Sequence, residues 1–278
     1  VAETLSFTGA ARRLHLSQPP LSRHIRALEE KIGARLFERD KRKVMLTDAG
    51  RQFYGETREI LARLTLAEES ARRAARGETA RLRLGFVSAV LGPEMVGCFR
   101  DFRAAHPEVR VLLYDLPPAD QLTALESGEL DGGFIGMMPE RRHRNLRVLP
   151  WSREPVDLFL PEGHPLAKRK RVNLKTVRDE PFVAVSATAA PAFAGFIREV
   201  CRQAGFSPRV LLESPRAQAV AVMVAAGCGV ALLPRSLSRT VEGAAVAVPL
   251  TKPPVVTHLF AYPARKNEAL AAFLAFLR

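Results

Sequence analysis

The chain has 278 residues, 47% of them hydrophobic, enough for about two domains of roughly 150 residues each and for packed cores, which excludes global disorder. It has no run of about 18 apolar residues that would cross a membrane, and residues 1–10 lack the basic start and apolar core of a secretory leader. The net charge of +13 suits a polyanionic partner without establishing one: residues 1–46 hold ten Lys and Arg against five Asp and Glu, residues 77–278 hold 26 against 19, and an arginine-rich proteome gives the same excess.

The N-terminal stretch reads as short helices. Ser6 or Thr8 is placed to cap a helix whose face carries Ala10, Ala11 and Leu14. After a break at His15-Leu16, Ser17 is a good N-cap and Gln18-Pro19-Pro20 fills the first turn, where missing amide donors cost little. Leu21, Ile25, Leu28 and Ile32 follow at spacings of 4, 3 and 4, and Gly33 suits a left-handed C-terminal residue. Two short helices with a tight turn between them make a helix-turn-helix. Residues 35–39 and 43–46 then read as two strands around the charged tip Asp40-Lys41-Arg42, a wing. Thr47 caps a long helix with Asp48 near its positive end. Phe53, Thr57, Ile60, Leu64, Ala67, Ala71 and Ala74 recur along it at alternating spacings of 4 and 3, a heptad seam expected to pair with a second copy and to end near Gly77. One side of a globular core would show the same spacing, but few globular helices run so long.

From Arg81 the pattern changes to strands alternating with helices. Strands are expected at residues 82–87, 109–114, 130–135, 155–160, 182–185, 210–213 and 230–233. Helices are expected up to about residue 105 and at 120–126, 192–204 and 216–226. This βα rhythm implies open α/β sheets with helices on both faces, too long for one small sheet, with Pro155 and Pro161 bracketing a crossing into a second subdomain. Ligands in such folds bind beyond the carboxyl ends of the strands. Cys98, Cys201 and Cys228 form an odd set without CxxC spacing, and the six histidines are scattered. Neither a disulfide framework nor a metal site is indicated, and a reducing cytoplasm fits. No nucleophile elbow, P-loop or GxGxxG is present, so no catalytic residue and no cofactor is expected.

Ser6-Phe7-Thr8-Gly9-Ala10-Ala11-Arg12-Arg13-Leu14, then Leu16-Ser17-Gln18-Pro19-Pro20-Leu21-Ser22-Arg23, closely resembles the signature of LysR-type transcriptional regulators. So do Leu28-Glu29-Glu30, Gly33, Leu36-Phe37-Glu38-Arg39 and Leu46-Thr47-Asp48-Ala49-Gly50. Leu82-Arg83-Leu84-Gly85, Leu130-Asp131-Gly132-Gly133-Phe134 and Ala225-Ala226-Gly227-Cys228-Gly229-Val230 with Leu233-Pro234 look like the family's effector domain. The resemblance covers essentially the whole chain, with one departure: the family's first helix begins earlier, and only its end, near residues 1–3, is represented.

The resemblance implies a winged helix-turn-helix over residues 1–46, a linker helix over 47–77 and a periplasmic-binding-protein-like effector domain over 81–278. In that domain, subdomain I takes about 81–155 and 261–278, subdomain II about 156–260. It implies that the second helix enters the major groove of operator DNA. There Gln18 pairs with adenine, Arg23 reaches guanine or phosphate, Ser17 and Ser22 contact phosphates, Pro19 and Pro20 pack on thymine methyls or sugars, and Arg42 enters the minor groove. A solvated surface charge remains the alternative for each Arg. For the effector it implies a cleft lined by Ser88, Asp120, Gln121, Phe134, Gly136, Ser186, Thr188, Phe193 and Gly227. Ser88 and Thr188 equally suit ordinary helix caps, and Phe193 plain core. The likeness is greatest to members that respond to aromatic-degradation intermediates, which makes an aromatic or dicarboxylic acid the expected effector. Those members often carry a hydroxyl where Pro118 stands and a polar residue where Ala89 stands, so a more apolar effector also fits. Cys228 as a redox sensor lacks a resolving cysteine nearby in sequence. Expected partners are operator DNA, the effector, further copies of the chain as dimer and tetramer, and RNA polymerase. Two rival readings, a transport-type binding protein and a hydrolase using Ser88, leave residues 6–50 unexplained or lack a nameable base.

Overall fold

The computed structural model describes residues 1–39, 44–75, 80–138, 145–264 and 267–277. It divides into two compact units, Val1–Ser70 and Ala71–Arg278.

The smaller unit begins with α1 (Phe7–Arg13), capped by Ser6, whose hydroxyl accepts from the Gly9 amide at 3.1 Å. Phe7, Ala10 and Ala11 are buried with Leu21, while Leu14, expected on the same face, is exposed at the helix end. The chain turns there through a left-handed His15 (φ +54°), and the Leu16 amide closes onto the Ala11 carbonyl at 2.9 Å. α2 (Gln18–Ile32) starts after Ser17 with proline in its first turn and stops at Gly33 (φ +75°), as expected. Glu29 uses its carboxylate to hold the next segment, accepting from the amides of Leu36 at 2.8 Å and Phe37 at 3.1 Å. β1 (Phe37–Arg39) and β2 (Val44–Leu46) pair antiparallel, Phe37 opposite Leu46. The expected wing tip, with Arg42, lies outside the described residues.

Thr47 joins the hairpin to α3 (Asp48–Ala75): its hydroxyl donates to the Arg35 carbonyl at 2.7 Å and accepts from the Gly50 amide at 2.9 Å. Gly50 sits so close to the hairpin entry that a Cβ there would lie 2.0 Å from the Leu36 carbonyl oxygen. Along α3 the seam residues Phe53 and Thr57 are half-buried, whereas Ile60 and Leu64 are 62% and 54% exposed. An apolar stripe left uncovered on a 28-residue helix is a surface that another chain can cover.

In the larger unit β3 (Arg81–Phe86) lies between two parallel neighbours, β4 (Arg110–Asp115) and β5 (Gly132–Gly136). The helices between them are α4 (Pro93–Ala105), preceded by a 3-10 turn at Ser88–Val90, and α5 (Pro118–Ser127). The expected strand at 155–160 is the second half of a 16-residue β6 (Leu146–Pro161). β6 pairs with β11 (Val255–Pro263) as far as Pro155 opposite Val255, and from Val156 onward with β9 (Ala231–Pro234) and β10 (Ala245–Val248). Pro155, which has no amide to donate, stands where the ladder changes partners, so it marks the crossing without ending the strand. β7 (Pro181–Val185) and β8 (Arg209–Ser214) are parallel, and β7 joins the β9 segment through the Val183 amide on the Val230 carbonyl at 2.9 Å.

The result is two five-stranded arrangements, β6-β11-β5-β3-β4 and β10-β6-β9-β7-β8, threaded by one strand. β11 carries the chain back into the first from Val255, ahead of the return expected at 261. The strands β10 and β11 and the last helix, α8 (Glu268–Leu274), were not anticipated from sequence. In the first arrangement α4 and α8 cover one face through Phe102, Leu270 and Phe273, and α5 covers the other through Leu122 and Leu125. In the second, α6 (Pro191–Gln203) and α7 (Ala217–Ala225) contribute to separate cores through Cys201 and Val220. This is α/β architecture with helices on both faces, as expected.

The glycine-rich signatures have packing reasons here. A Cβ on Gly132 would fall 2.3 Å from the Phe260 ring, and one on Gly133 2.5 Å from the Gln121 amide oxygen. Asp131 anchors the same corner, accepting from the Arg83 amide at 2.8 Å and from the Arg83 guanidinium and Asn267 amide at 3.0–3.1 Å.

Candidate functional site

Two sites emerge, one in each unit. In the smaller, Ser17 has extended backbone geometry and makes no side-chain cap bond, so its hydroxyl is not spent on the helix. Ser17, Gln18, Pro19 and Arg23 are exposed, Pro20 and Ser22 half-buried. The helix period explains the split: Leu21, Ile25 and Leu28 turn inward, and the opposite stripe carries Pro19, Arg23 and Arg26. Arg26, one turn beyond Arg23, was not singled out from sequence, although the 3.6-residue period places it there. Arg12 and Arg35 are further exposed cations of this unit. Free amide groups at the start of a helix and guanidinium groups along its outer face suit phosphate and base edges.

In the larger unit a cleft of about 710 Å³ opens between the two sheet arrangements. Ser88, Gly136 and Phe193 line it, as expected. So do Leu116, Pro118, Met137 and Ala192, which make its walls largely apolar. Across it the Ala119 amide donates to the Ala189 carbonyl at 3.0 Å. Arg216, the residue before α7, reaches Asp115 at the end of β4, with 2.5 Å to Oδ1 and 2.7 Å to its carbonyl oxygen.

Six expected effector residues stand elsewhere. Phe134 is fully buried in the core under α4 and α8, its ring 4.8 Å from Phe260 and 4.9 Å from Trp151. A side chain at the end of a central strand alternates between faces, and this one points into the helix layer. Gln121 is also fully buried: its amide donates to the Leu116 carbonyl at 2.8 Å, and its oxygen lies against Gly85 and Gly133. It braces the β4–α5 connection from behind the wall. Asp120 is exposed and does not line the cleft. The Ser186 and Thr188 hydroxyls bond each other at 2.7 Å in the turn before α6, and neither lines the cleft. Gly227 is a left-handed residue (φ +80°) just past α7, a C-terminal cap and not a wall.

The polar lining that sequence reading missed comprises Asp115, Arg216 and His258. His258 is 2% exposed. Its Nε2 lies 2.7 Å from Glu154 Oε1, while Glu154 Oε2 accepts from the Ser236 amide at 2.7 Å. Ser236 Oγ is 2.9 Å from the Ala89 carbonyl and 3.0 Å from Glu154 Oε1, so its single proton serves one or the other. Only the β6–β11 pairing, which sequence reading did not include, could have pointed to His258 beside Glu154. Cys98 and Cys201 take no part: burial, joined at Cys98 by the Asp101 carboxylate, pushes both thiols up to about 11 and keeps them protonated. Among the described residues no helix is long and apolar enough to cross a membrane.

Comparison with known proteins agrees in both units. Residues 1–51 match the family described as bacterial regulatory helix-turn-helix protein, lysR family, and residues 75–278 match the LysR substrate binding domain. The chain is 36% identical over 239 residues to the HTH-type transcriptional regulator AlsR of Bacillus subtilis, covering 86% of this chain and 78% of that protein. It is 34% identical over 281 residues to IlvR of Caulobacter vibrioides, also an HTH-type transcriptional regulator, covering 100% and 93%. Among solved structures, full-length CbnR complexed with its target DNA superposes with a TM-score of 0.71 at 25% identity, covering 100% of this chain and 95% of that one.

Proposed function

The chain belongs to the LysR family of transcriptional regulators, and on that premise we propose how it works: the first turn of α2 reads operator DNA, and a small molecule in the cleft of the larger unit controls the outcome. The observation that carries this reading is the exposure of Ser17, Gln18, Pro19 and Arg23 on one capped helix start. Gln18 pairs with a base edge, Arg23 and Arg26 meet guanine or phosphate, and Ser17 and Ser22 hold phosphates, with Arg42 extending the contact into the minor groove. Residues 1–46 form the DNA-binding head and 47–77 the linker. The protein acts in the cytoplasm and as a regulator, not an enzyme, consistent with relatives named as transcriptional regulators.

Fluorescence anisotropy on operator and scrambled duplexes tests the head. Gln18→Ala is expected to lower discrimination between them by about 1–3 kcal/mol, and Arg23→Ala to weaken binding and flatten its salt dependence. Unchanged discrimination in Gln18→Ala removes it as a base reader.

The uncovered stripe on α3 supports a dimer through paired linker helices, which a two-fold operator requires; a tetramer and contact with RNA polymerase extend the same reading. Ile60→Asp with Leu64→Asp puts two carboxylates in that seam and is expected to raise the dimer dissociation constant roughly a hundredfold or more. Sedimentation equilibrium measures it, and an unchanged dimer would place the interface elsewhere.

A further inference from the structure

His258 offers a ligand an unused hydrogen-bonding atom. Its ring is almost wholly buried, its Nε2 is committed to Glu154, and its Nδ1 has no hydrogen-bond partner among the described residues. That atom faces the cleft: His258 lines it, and Nδ1 lies 3.9 Å from where a Cβ on Gly136, another lining residue, would stand. An imidazole nitrogen left unbonded in an apolar wall costs stability unless something in the cleft bonds it.

The charges around the cleft narrow what that something is. Arg216, the cation lining the cleft, already spends its guanidinium on Asp115, at 2.5 Å and 2.7 Å. On β6 and the turn after β9, Glu154 faces His258 directly, while Asp157 and Arg235 bond each other at 2.6 Å and 3.0 Å. With Nε2–H directed at Glu154, the neutral ring presents a lone pair at Nδ1, so the complementary ligand group brings a proton. No uncommitted cation faces the cleft for a second carboxylate, and the Leu116, Met137 and Phe193 walls favour an apolar body.

Building on the proposed effector cleft, we infer that His258 Nδ1 is its acid-recognising atom and that the effector is a small, mostly apolar monocarboxylic acid taken up together with one proton. The balance is simple. The free acid is a carboxylate, one proton comes from solvent, and in the complex that proton lies between the carboxylate oxygen and Nδ1, with Glu154 holding the other side of the ring. No covalent bond forms or breaks apart from this proton transfer. Because a proton is bound with the ligand, affinity falls about tenfold for each pH unit of increase on the alkaline side of neutrality. The dicarboxylic alternative raised by the sequence is disfavoured, since its second carboxylate would be buried without a counter-charge.

Calorimetric titration of the full chain with benzoate, in two buffers of different ionisation enthalpy, tests this. The expected result is binding whose heat differs between buffers by the enthalpy of about one proton, with benzamide and succinate binding at least tenfold more weakly. His258→Gln keeps a donor toward Glu154 and removes Nδ1; it is expected to weaken benzoate at least tenfold and to abolish the buffer dependence while operator binding persists. Buffer-independent heats, succinate binding as tightly as benzoate, or no benzoate binding would each overturn the inference. If His258→Gln does not fold, the buffer comparison on the unaltered chain decides alone. Failure of the unaltered chain to bind any operator duplex would instead count against the regulator reading itself.

Discussion

Phe134→Ala is expected to destabilise the larger unit by about 3–5 kcal/mol, the usual cost of emptying a fully buried aromatic site. The ring contacts Phe99, Trp151 and Phe260 edge-on at 6.5, 4.9 and 4.8 Å, within the layer that also holds Leu82, Leu84 and Phe273. Removing it leaves three aromatic partners around a void that strands β3, β5 and β11 are too constrained to close. Thermal and denaturant unfolding followed by near-ultraviolet circular dichroism would show the loss. The second half of the prediction separates core from ligand wall: Phe134→Leu should keep most of the stability and leave effector affinity within about twofold, because no atom of residue 134 reaches the cleft. A variant as stable as the parent but unable to bind ligand would restore Phe134 to the binding site.

The second large effect is expected at Gly50. Alanine there sets a methyl group 2.0 Å from the Leu36 carbonyl oxygen and 3.1 Å from the Leu46 side chain. Neither neighbour yields easily: Leu36 donates its amide to Glu29, and the following residue opens the β1–β2 hairpin. The start of α3 must therefore separate from the hairpin, breaking the Thr47 bonds to Arg35 and Gly50. Overpacking against backbone of this kind costs about 3 kcal/mol or more. Operator binding by Gly50→Ala should fall at least tenfold, while ligand-induced stabilisation of the larger unit is retained. Wild-type operator affinity in this variant would show that the helix start can shift without disturbing the head.

These two positions also show how differently the two sites were legible. The reading head rests on short-range chemistry. Ser17, the proline-bearing first turn and Gly33 are separated by a few residues, and each has a strong local preference for the backbone geometry it adopts. Leu14 departed from its expected face because it stands past the last turn of α1, where helical periodicity no longer applies. The cleft was legible only in outline. Ser88, Gly136 and Phe193 follow strands or open helices where such folds place ligands, so the general rule found them. The same rule carried Phe134 and Gln121 into the list, because it locates strand ends but not which face a side chain takes. Pro155 was read as an opening strand residue, whereas β6 passes through it at the point where pairing moves from β11 to β9.

The amino-acid order by itself determined the family, the helix-turn-helix with its capped second helix, the long amphipathic linker and the alternating α/β character of the remainder, since each is written in composition, caps or periodicity over a short window. Only the tertiary structure decided the polar equipment of the cleft. Asp115 meets Arg216 across 101 residues and Glu154 meets His258 across 104. Such meetings depend on the register in which distant strands pair, and no local preference of the chain encodes that register.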